Sequence, residues 1–286
     1  MSARAHPPRL RLRTVPDETK PDIRSVHIDL PAPPAAMLRI SNLMADPNCQ
    51  VSELGSVIES DMALAAAVMK AVNSSMFGLA GSVQTVQHAI IYLGVRDVAA
   101  VTLQAGLRAM FPAAAELEAL WTRAALRGRA MARLAMSLGM DPWVAHSAGL
   151  FQECGKAVLF RHDAARYRQM MVSCSDDAHL VRKEQDLYGV GHDALAGALC
   201  ESWGLATSAA YSVRRHVELQ NSLLLPLPVD LRALCALSAL IHRLEVQPDS
   251  LPQATVVMAE QLHWDAPALL AALQTEQALQ RAMNPN

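Results

Sequence analysis

The feature that most constrains this chain is a helical pattern that runs almost without pause from residue 30 to residue 282. Apolar residues recur three and four positions apart, which is the spacing that places them on one face of a helix. Strand signals are scarce, because the sequence has no Asn-Gly or Asp-Gly turn and only 13 glycines. The sequence therefore predicts an all-α protein.

Residues that begin and end helices divide this pattern into segments. Asp61 can cap one helix, which ends near Asn73-Ser74, and Gly94 can end another. Residues 1–24 differ from the rest, because they hold four prolines among charges of both signs and show no apolar periodicity. That composition predicts a flexible tail.

The composition argues against two kinds of partner. The 25 basic and 27 acidic residues leave a net charge of −2, so the chain has no general attraction for nucleic acid or for an anionic membrane. An aromatic content of 4% leaves few rings on which bases could stack. We therefore expect neither nucleic acid nor a membrane as the main partner.

The cysteines and the N-terminus bear on location. No two of the five cysteines form the C-x-x-C pair that zinc and redox sites use. An odd number of cysteines without an apolar secretory leader fits a reducing compartment, and no apolar run of 18 residues occurs. The sequence predicts a cytoplasmic protein that binds no cofactor.

Several local patterns follow one another in an order typical of one family. The segments are Leu30-Pro-Ala-Pro-Pro-Ala35, Ile58-Glu-Ser-Asp61, Val68-Met-Lys-Ala-Val-Asn73-Ser74 and Ala89-Ile-Ile-Tyr-Leu-Gly94. Together they resemble the HDOD domain, an all-helical relative of the HD phosphohydrolases found in bacterial signalling proteins. The resemblance spans residues 28–220.

The residues that match the family's motifs occur throughout this range. They are Asp61, Asn73, Ser74, Phe77, Gly78, Gly94, Trp121, Gly155, Lys156, His192 and Trp203. Helix capping, turn formation and packing account for most of them, and we interpret them as structural. A partner-facing elbow around Asn73 to Gly78 is the functional alternative.

The resemblance also implies a domain organisation. It implies an HDOD-like domain over residues 25–222, in which an N-terminal helical subdomain (25–112) packs on a degenerate HD-type helical subdomain (113–222). Residues 223–286 then form a C-terminal helical extension after a stretch interrupted by prolines.

The resemblance further implies where a metal site would lie. HD enzymes hold divalent metal with a separated His, an adjacent His-Asp pair and a later Asp, and the metal activates water for phosphoester hydrolysis. In this sequence the His-Asp position reads Gln152-Glu153. The helix segment 122–128 contains no His, and residues 237–240 contain no Asp. The sequence therefore predicts no metal site and no catalytic residues.

Other histidines near acidic residues do not restore such a site. His162-Asp163 follows the His-Asp position by ten residues, and His192-Asp193 begins a later helix. Neither pair has a second His-rich segment at ligand spacing, so we expect surface or capping roles. His146 shares a helix face with Glu153, but a rise of 1.5 Å per residue separates the two by about 10 Å, too far for one ion.

Four arginines offer a candidate binding face. Arg123, Arg127, Arg129 and Arg133 lie on one predicted helix in a stretch without acidic residues. Their spacing spreads them over a broad face, and solvated helix surface is the simplest interpretation. The alternative is a surface that docks a phosphate-bearing ligand or an acidic partner.

These observations lead to one main hypothesis and two alternatives. The resemblance predicts a non-catalytic bacterial signal-transduction module that acts through protein–protein interaction and is not an enzyme. One alternative is a metal-dependent phosphohydrolase or phosphodiesterase with a rearranged site. The other is a nucleic-acid-binding regulator that uses the arginine face, whose binding would fall steeply with salt.

Overall fold

The computed structural model describes residues 27–46, 48–74, 83–226 and 229–283. The tail 1–24 and the motif residues Phe77 and Gly78 lie outside this part of the chain. Within it, helices and short connections account for every element, and no strand occurs. The prediction of an all-α protein is confirmed.

The helices fall into three consecutive groups. The first group is α1 (Ala35–Ala45), α2 (Val51–Glu59), α3 (Met62–Val72), α4 (Val86–Leu93) and α5 (Val95–Ala109). The second is α6 (Ala115–Ser137), α7 (Pro142–Phe151), α8 (Cys154–His162), α9 (Ala164–Ser173), α10 (Asp177–Tyr188), α11 (His192–Ser202) and α12 (Thr207–Gln220). The third is α13 (Val229–Val246), a 3₁₀ turn (Pro248–Ser250), α14 (Leu251–Leu262) and α15 (Ala266–Met283).

Side-chain caps fix several of the helix starts. The Asp61 carboxylate accepts a hydrogen bond from the Leu64 backbone N–H at 3.0 Å, so α3 begins where the sequence predicts. Asp141 caps α7 in the same way, and Pro142 at the first helical position needs no hydrogen-bond partner. Gly94 has φ of 88°, which lets the chain end α4 and begin α5 without a linker.

Glycines let the helices of the second group approach closely. A Cβ atom on Gly149 of α7 would lie 2.8 Å from the Cα of Gly128 on α6. A Cβ on Gly155 of α8 would lie only 1.8 Å from the carbonyl oxygen of His192, the first residue of α11. These contacts hold α6, α7, α8 and α11 in a tight bundle with backbone against backbone.

Two aromatic contacts join the first and second groups. The Trp203 indole donates a hydrogen bond to the carbonyl oxygen of Pro31 at 3.0 Å, which attaches the segment before α1 to the end of α11. Phe111, which follows α5, packs on Trp121 of α6 with ring centroids 5.4 Å apart. Both tryptophans are buried.

The third group is part of the same packed body. Helix α13 contacts α6, α7 and α12, and it buries Leu237, Leu240 and Ile241 against them. Helix α15 contacts α6, where the buried Glu276 accepts two hydrogen bonds from Arg133. Residues 229–283 therefore form one wall of the bundle that holds the HD position. Among the described helices, none has both the length and the apolar character needed to cross a bilayer.

Candidate functional site

The HD position lies at the joint between α7 and α8. Helix α7 ends at Phe151 and α8 begins at Cys154, so Gln152 and Glu153 form the connection. Both side chains are buried, with 1% and 2% of their surface exposed. The joint faces α6 on one side and α13 on the other, as the contacts of these two residues show.

Arg127 of α6 occupies the centre of this joint. Its Nη1 donates to Gln152 Oε1 at 3.0 Å and to Glu153 Oε1 at 3.2 Å. Its Nη2 and Nε donate to the two carboxylate oxygens of Glu245 on α13, at 2.6 Å and 3.4 Å. The Gln152 amide in turn donates to Ser238 Oγ at 2.7 Å. The segments that lack the expected His and Asp thus supply a guanidinium and a hydroxyl.

Lys156 extends this network on the other side of Glu153. Its ammonium lies 3.0 Å from Glu153 Oε2 and 2.6 Å from Asp177 Oδ1, so it bridges α8 and α10. Arg123 approaches Glu153 Oε2 at 3.6 Å from the rim, where half of its side chain is exposed. The Glu153 carboxylate is therefore shared by three cations.

The pKa values follow from these contacts. Burial by itself raises the pKa of Glu153, but the charges of Lys156, Arg127 and Arg123 outweigh burial and hold the pKa at about 2. Burial by itself lowers the pKa of Lys156, and Glu153 and Asp177 outweigh that effect and raise it. Glu153 and Lys156 are therefore both charged at neutral pH.

The residues at the HD position do not fit a divalent metal ion. The Gln152 carbonyl oxygen already accepts from Arg127, and the Glu153 carboxylate is already paired with Arg127 and Lys156. A divalent ion placed here would lie beside two buried positive charges and would find no imidazole among its neighbours in the network. The positive charge at this position comes from two side chains of the protein, the Arg127 guanidinium and the Lys156 ammonium.

A cavity of about 690 Å³ opens in front of this network. Its lining mixes apolar side chains with His242 and with charges of both signs, from Arg123, Lys156, Asp177 and Glu245. Burial and the nearby charge of Arg127 lower the pKa of His242 to about 4, so its ring is neutral at pH 7. The cavity therefore offers donors and acceptors to a polar ligand, without a strong excess of either charge.

The predicted arginine face does not exist as a single surface. Arg127 is buried in the network, so the expectation of solvated surface is wrong for this residue. Arg133 pairs with Glu276 of α15, and Arg129 lines a different groove together with Asp97. Positions 127 and 129 point about 200° apart around a helix, which places them on opposite sides of α6.

The expected surface or capping role of His192 is also wrong. His192 is fully buried, and Glu184 of α10 accepts from its backbone N–H at 2.7 Å and contacts its Nδ1 at 2.8 Å. Its ring lies 5.6 Å from that of His216 on α12. The second His-Asp pair, His162-Asp163, has a capping role as expected. Asp163 caps α9, and the His162 ring packs edge-on against Tyr188.

Most other motif residues take part in local structure. Asn73 donates to the carbonyl oxygens of Met69 and Val83 and accepts from the Val83 N–H, which connects the end of α3 to the start of the next described segment. Ser74 Oγ donates to the carbonyl oxygen of Ala71. Lys156 is the exception, because it lies in the ionic network.

Sequence reasoning missed several residues around the site. They are Asp177, Glu184, His216 and Glu245. All of them come from α10, α12 or α13, and no spacing in the sequence relates these residues to the joint between α7 and α8. Only their placement by the bundle brings them together.

Comparison with known proteins identifies the family. The family model of the HDOD domain matches residues 30–219, which is more than half of the chain. The chain belongs to the HDOD domain family. This HDOD chain is also 24% identical over 206 residues to an uncharacterized protein of Treponema pallidum (strain Nichols). The match covers 68% of this chain and only 39% of that relative, which is much longer.

Solved structures share the fold of this HDOD chain. A protein of Marinobacter aquaeolei VT8 with a provisional signal-transduction name has a TM-score of 0.69 and 21% identity, and the match covers 91% of this chain and 62% of that one. A protein of Shewanella amazonensis SB2B with a provisional phosphohydrolase name has a TM-score of 0.66 and 17% identity, over 87% and 93% of the two chains. Likeness at these identities establishes the fold alone. The chain is an HD-related helical module.

Proposed function

We propose that this HDOD chain is a non-catalytic regulatory module of bacterial signal transduction that works by binding a protein partner. The observation that carries the proposal is the buried network in which Arg127, Glu153 and Lys156 fill the HD position. Hydrolysis of a phosphoester by an HD enzyme needs a metal to polarise the phosphoryl group and to generate hydroxide. A guanidinium and an ammonium can bind an anion but cannot deprotonate water at neutral pH.

The network suits a structural role in such a module. Its charges are matched across α6, α8, α10 and α13, so it fixes the relative positions of these helices. Removing one member of a buried ion pair costs about 3–5 kcal/mol, because the remaining charge stays buried without compensation. A rigid bundle of this kind presents its outer faces in a constant arrangement to a partner.

The outer face of α4 is the surface that we expect a partner to contact. Ile91 and Tyr92 are adjacent, large and apolar, and 71% and 63% of their surfaces are exposed. Large apolar and aromatic side chains supply much of the binding energy of protein interfaces. The provisional signal-transduction name of the Marinobacter aquaeolei VT8 protein supports the same class of function.

The test measures partner binding directly. A partner captured by crosslinking from the native cell extract is identified, purified and titrated against the full chain. We expect the Ile91→Ser/Tyr92→Ser variant to bind at least tenfold more weakly. The control is Val172→Ser, which removes another highly exposed apolar side chain, from α9. Equal affinities for wild type and both variants would exclude the α4 face.

The same material separates the two alternatives. A metal-dependent hydrolase predicts turnover of phosphodiesters by metal-loaded protein, and a nucleic-acid-binding regulator predicts binding whose logarithm falls linearly with the logarithm of salt concentration. We expect no turnover and no such binding. Turnover that disappears in Glu153→Gln protein would contradict a non-catalytic function.

A further inference from the structure

A second group of candidate ligands adjoins the network at the HD position and shares Asp177 with it. Asp177 of α10, His192 of α11 and His216 of α12 each place one ligand atom within 4.8 Å of the others. Both imidazoles are buried, and the side chain of Asp177 is 20% exposed and reaches the cavity in front of the network. Three consecutive helices thus converge on one point.

The hydrogen bonds of the two histidines use Nδ1 of each ring and leave Nε2 as the available ligand atom. His216 Nδ1 lies 2.6 Å from the carbonyl oxygen of Val213, which can only accept, so Nδ1 carries the proton. His192 Nδ1 lies 2.8 Å from the Glu184 carboxylate and donates to it for the same reason. When the two rings are neutral, the lone pair of each is therefore on Nε2. Histidines that bind metal in proteins have this arrangement, in which the other ring nitrogen donates to a carboxylate or a carbonyl.

One of these lone pairs has no partner among the described residues. His192 Nε2 is fully buried and makes no hydrogen bond. A buried polar nitrogen without a partner costs about 1–3 kcal/mol, and such atoms are rare in native proteins. A proton on Nε2 would not relieve this cost, because the N–H group would be equally unpaired. A cation bound between the rings would relieve it.

The surroundings supply the negative charge that a cation needs. Asp177 provides one carboxylate directly, and Glu184 provides a second behind His192. Glu184 is itself held in place by the Tyr167 hydroxyl, which donates to Oε1 at 2.5 Å. Gln220 donates to Asp177 Oδ2 at 2.9 Å and orients that carboxylate. Lys156 donates to Asp177 Oδ1 at 2.6 Å and to Glu153 Oε2 at 3.0 Å, so its charge is shared between the two carboxylates.

We propose that Asp177, His192 and His216 bind a single divalent transition-metal ion, with Zn²⁺ the best match. Two imidazoles and one carboxylate are a ligand set typical of Zn²⁺, whereas Mg²⁺ prefers oxygen ligands alone. Ligand atoms around tetrahedral Zn²⁺ are about 3.4 Å apart, so atoms within 4.8 Å of one another need to move by at most about 0.8 Å each. This site goes beyond the proposed function and does not depend on it.

The test uses the full chain, stripped with chelator and then dialysed against Zn²⁺ or Mg²⁺ at matched concentrations. We expect about one Zn²⁺ per chain by elemental analysis and no retained Mg²⁺. In His216→Gln protein we expect Zn²⁺ affinity to fall at least a hundredfold. His146→Gln is the matched control, because it replaces another buried histidine outside the cluster and should leave Zn²⁺ affinity unchanged.

A second measurement tests the metal site even if the variants fail to fold, because it uses only the wild-type protein. Zinc-edge X-ray absorption of the wild-type protein reports the ligand atoms directly, and we expect two imidazole nitrogens and no sulfur. Absence of stoichiometric Zn²⁺, sulfur ligation or an unchanged affinity in folded His216→Gln protein would each overturn the proposal. Partner binding is measured in chelator, so failure of the metal site and failure of the proposed function are separate results.

Discussion

The Arg127 guanidinium and the Glu153 carboxylate form an ion pair at 3.2 Å in the buried joint where α6 meets the α7–α8 connection. Each has only 3–4% of its side chain exposed. Arg127 is also paired with Glu245 of α13, and Glu153 with Lys156 of α8. The ion pair therefore connects elements from three parts of the sequence at the position where an HD enzyme would hold its metal.

Replacing Glu153 by Gln should destabilise the protein by about 3 kcal/mol, because Lys156 and Arg127 would then share too little negative charge. The pKa of Glu153 is held at about 2 against an ordinary value of 4.5, so its contribution is complete above pH 4.5 and is lost as the pH falls towards 2. Urea unfolding at pH 7 and pH 3 measures both effects.

The control for this prediction is Glu118→Gln. Glu118 pairs with Arg108 on the surface, where both side chains are about half exposed, and such pairs contribute less than about 1 kcal/mol. Equal losses of stability in the two variants would contradict the importance of the buried network.

Replacing Gly155 by Ala should cost about 3 kcal/mol. The new Cβ would lie 1.8 Å from the His192 carbonyl oxygen, so α8 and α11 would have to separate. This strain exceeds the gain of about 1 kcal/mol that alanine brings to a helix interior. The comparison is Gly204→Ala. Gly204 has φ of 68° and open space around it, so a Cβ there would meet no neighbour. We expect this variant to lose only the about 1–2 kcal/mol that a left-handed backbone conformation costs alanine. Thermal unfolding of both variants measures these losses. A larger loss of stability in Gly204→Ala than in Gly155→Ala would contradict the prediction.

His146 should make the protein less stable in mild acid. Burial, together with the charge of Arg129, lowers its pKa to about 4 from 6.5. Between these values the unfolded chain binds a proton that the folded protein does not, so the free energy of unfolding decreases as the pH falls from 6.5 towards 4. For His146 alone the decrease from pH 7.5 to pH 5.0 is about 2 kcal/mol.

The measurement is urea unfolding of wild type and His146→Gln at pH 7.5 and pH 5.0. The variant should lose about 2 kcal/mol less than wild type over this interval. His88→Gln, a change at an exposed histidine, should lose as much as wild type. An identical pH dependence in wild type and His146→Gln would show that folding does not lower the pKa of His146.

Replacing Trp203 by Phe should loosen the segment before α1. The indole N–H is the donor to the buried Pro31 carbonyl oxygen, and Phe leaves that oxygen without its partner at a cost of about 1–3 kcal/mol. Hydrogen exchange should speed up in residues 27–40 and stay constant in α14, which serves as the internal reference. Unchanged exchange in residues 27–40 would mean that other contacts hold this segment.

The helices were predictable because their signals are local. The spacing of apolar residues, the cap at Asp61, the Asp141-Pro142 start and the stop at Gly94 each act within a few residues. The family was predictable for the same reason, since its motifs are short segments in a fixed order. The sequence also located the HD position at Gln152-Glu153 and showed that its expected ligands are missing.

What fills that position was decided by tertiary structure. Arg127 is the buried member of the four arginines on α6, and their spacing in the sequence does not reveal this. Which arginine is buried depends on which side of α6 faces α7 and α13. His192 and His216 are 24 positions apart in the sequence, and their rings meet only because α11 and α12 pack together. The sequence alone determines the helices and the loss of the HD ligands, since those depend on neighbouring residues. The charges and imidazoles that meet inside the bundle depend on how whole helices pack.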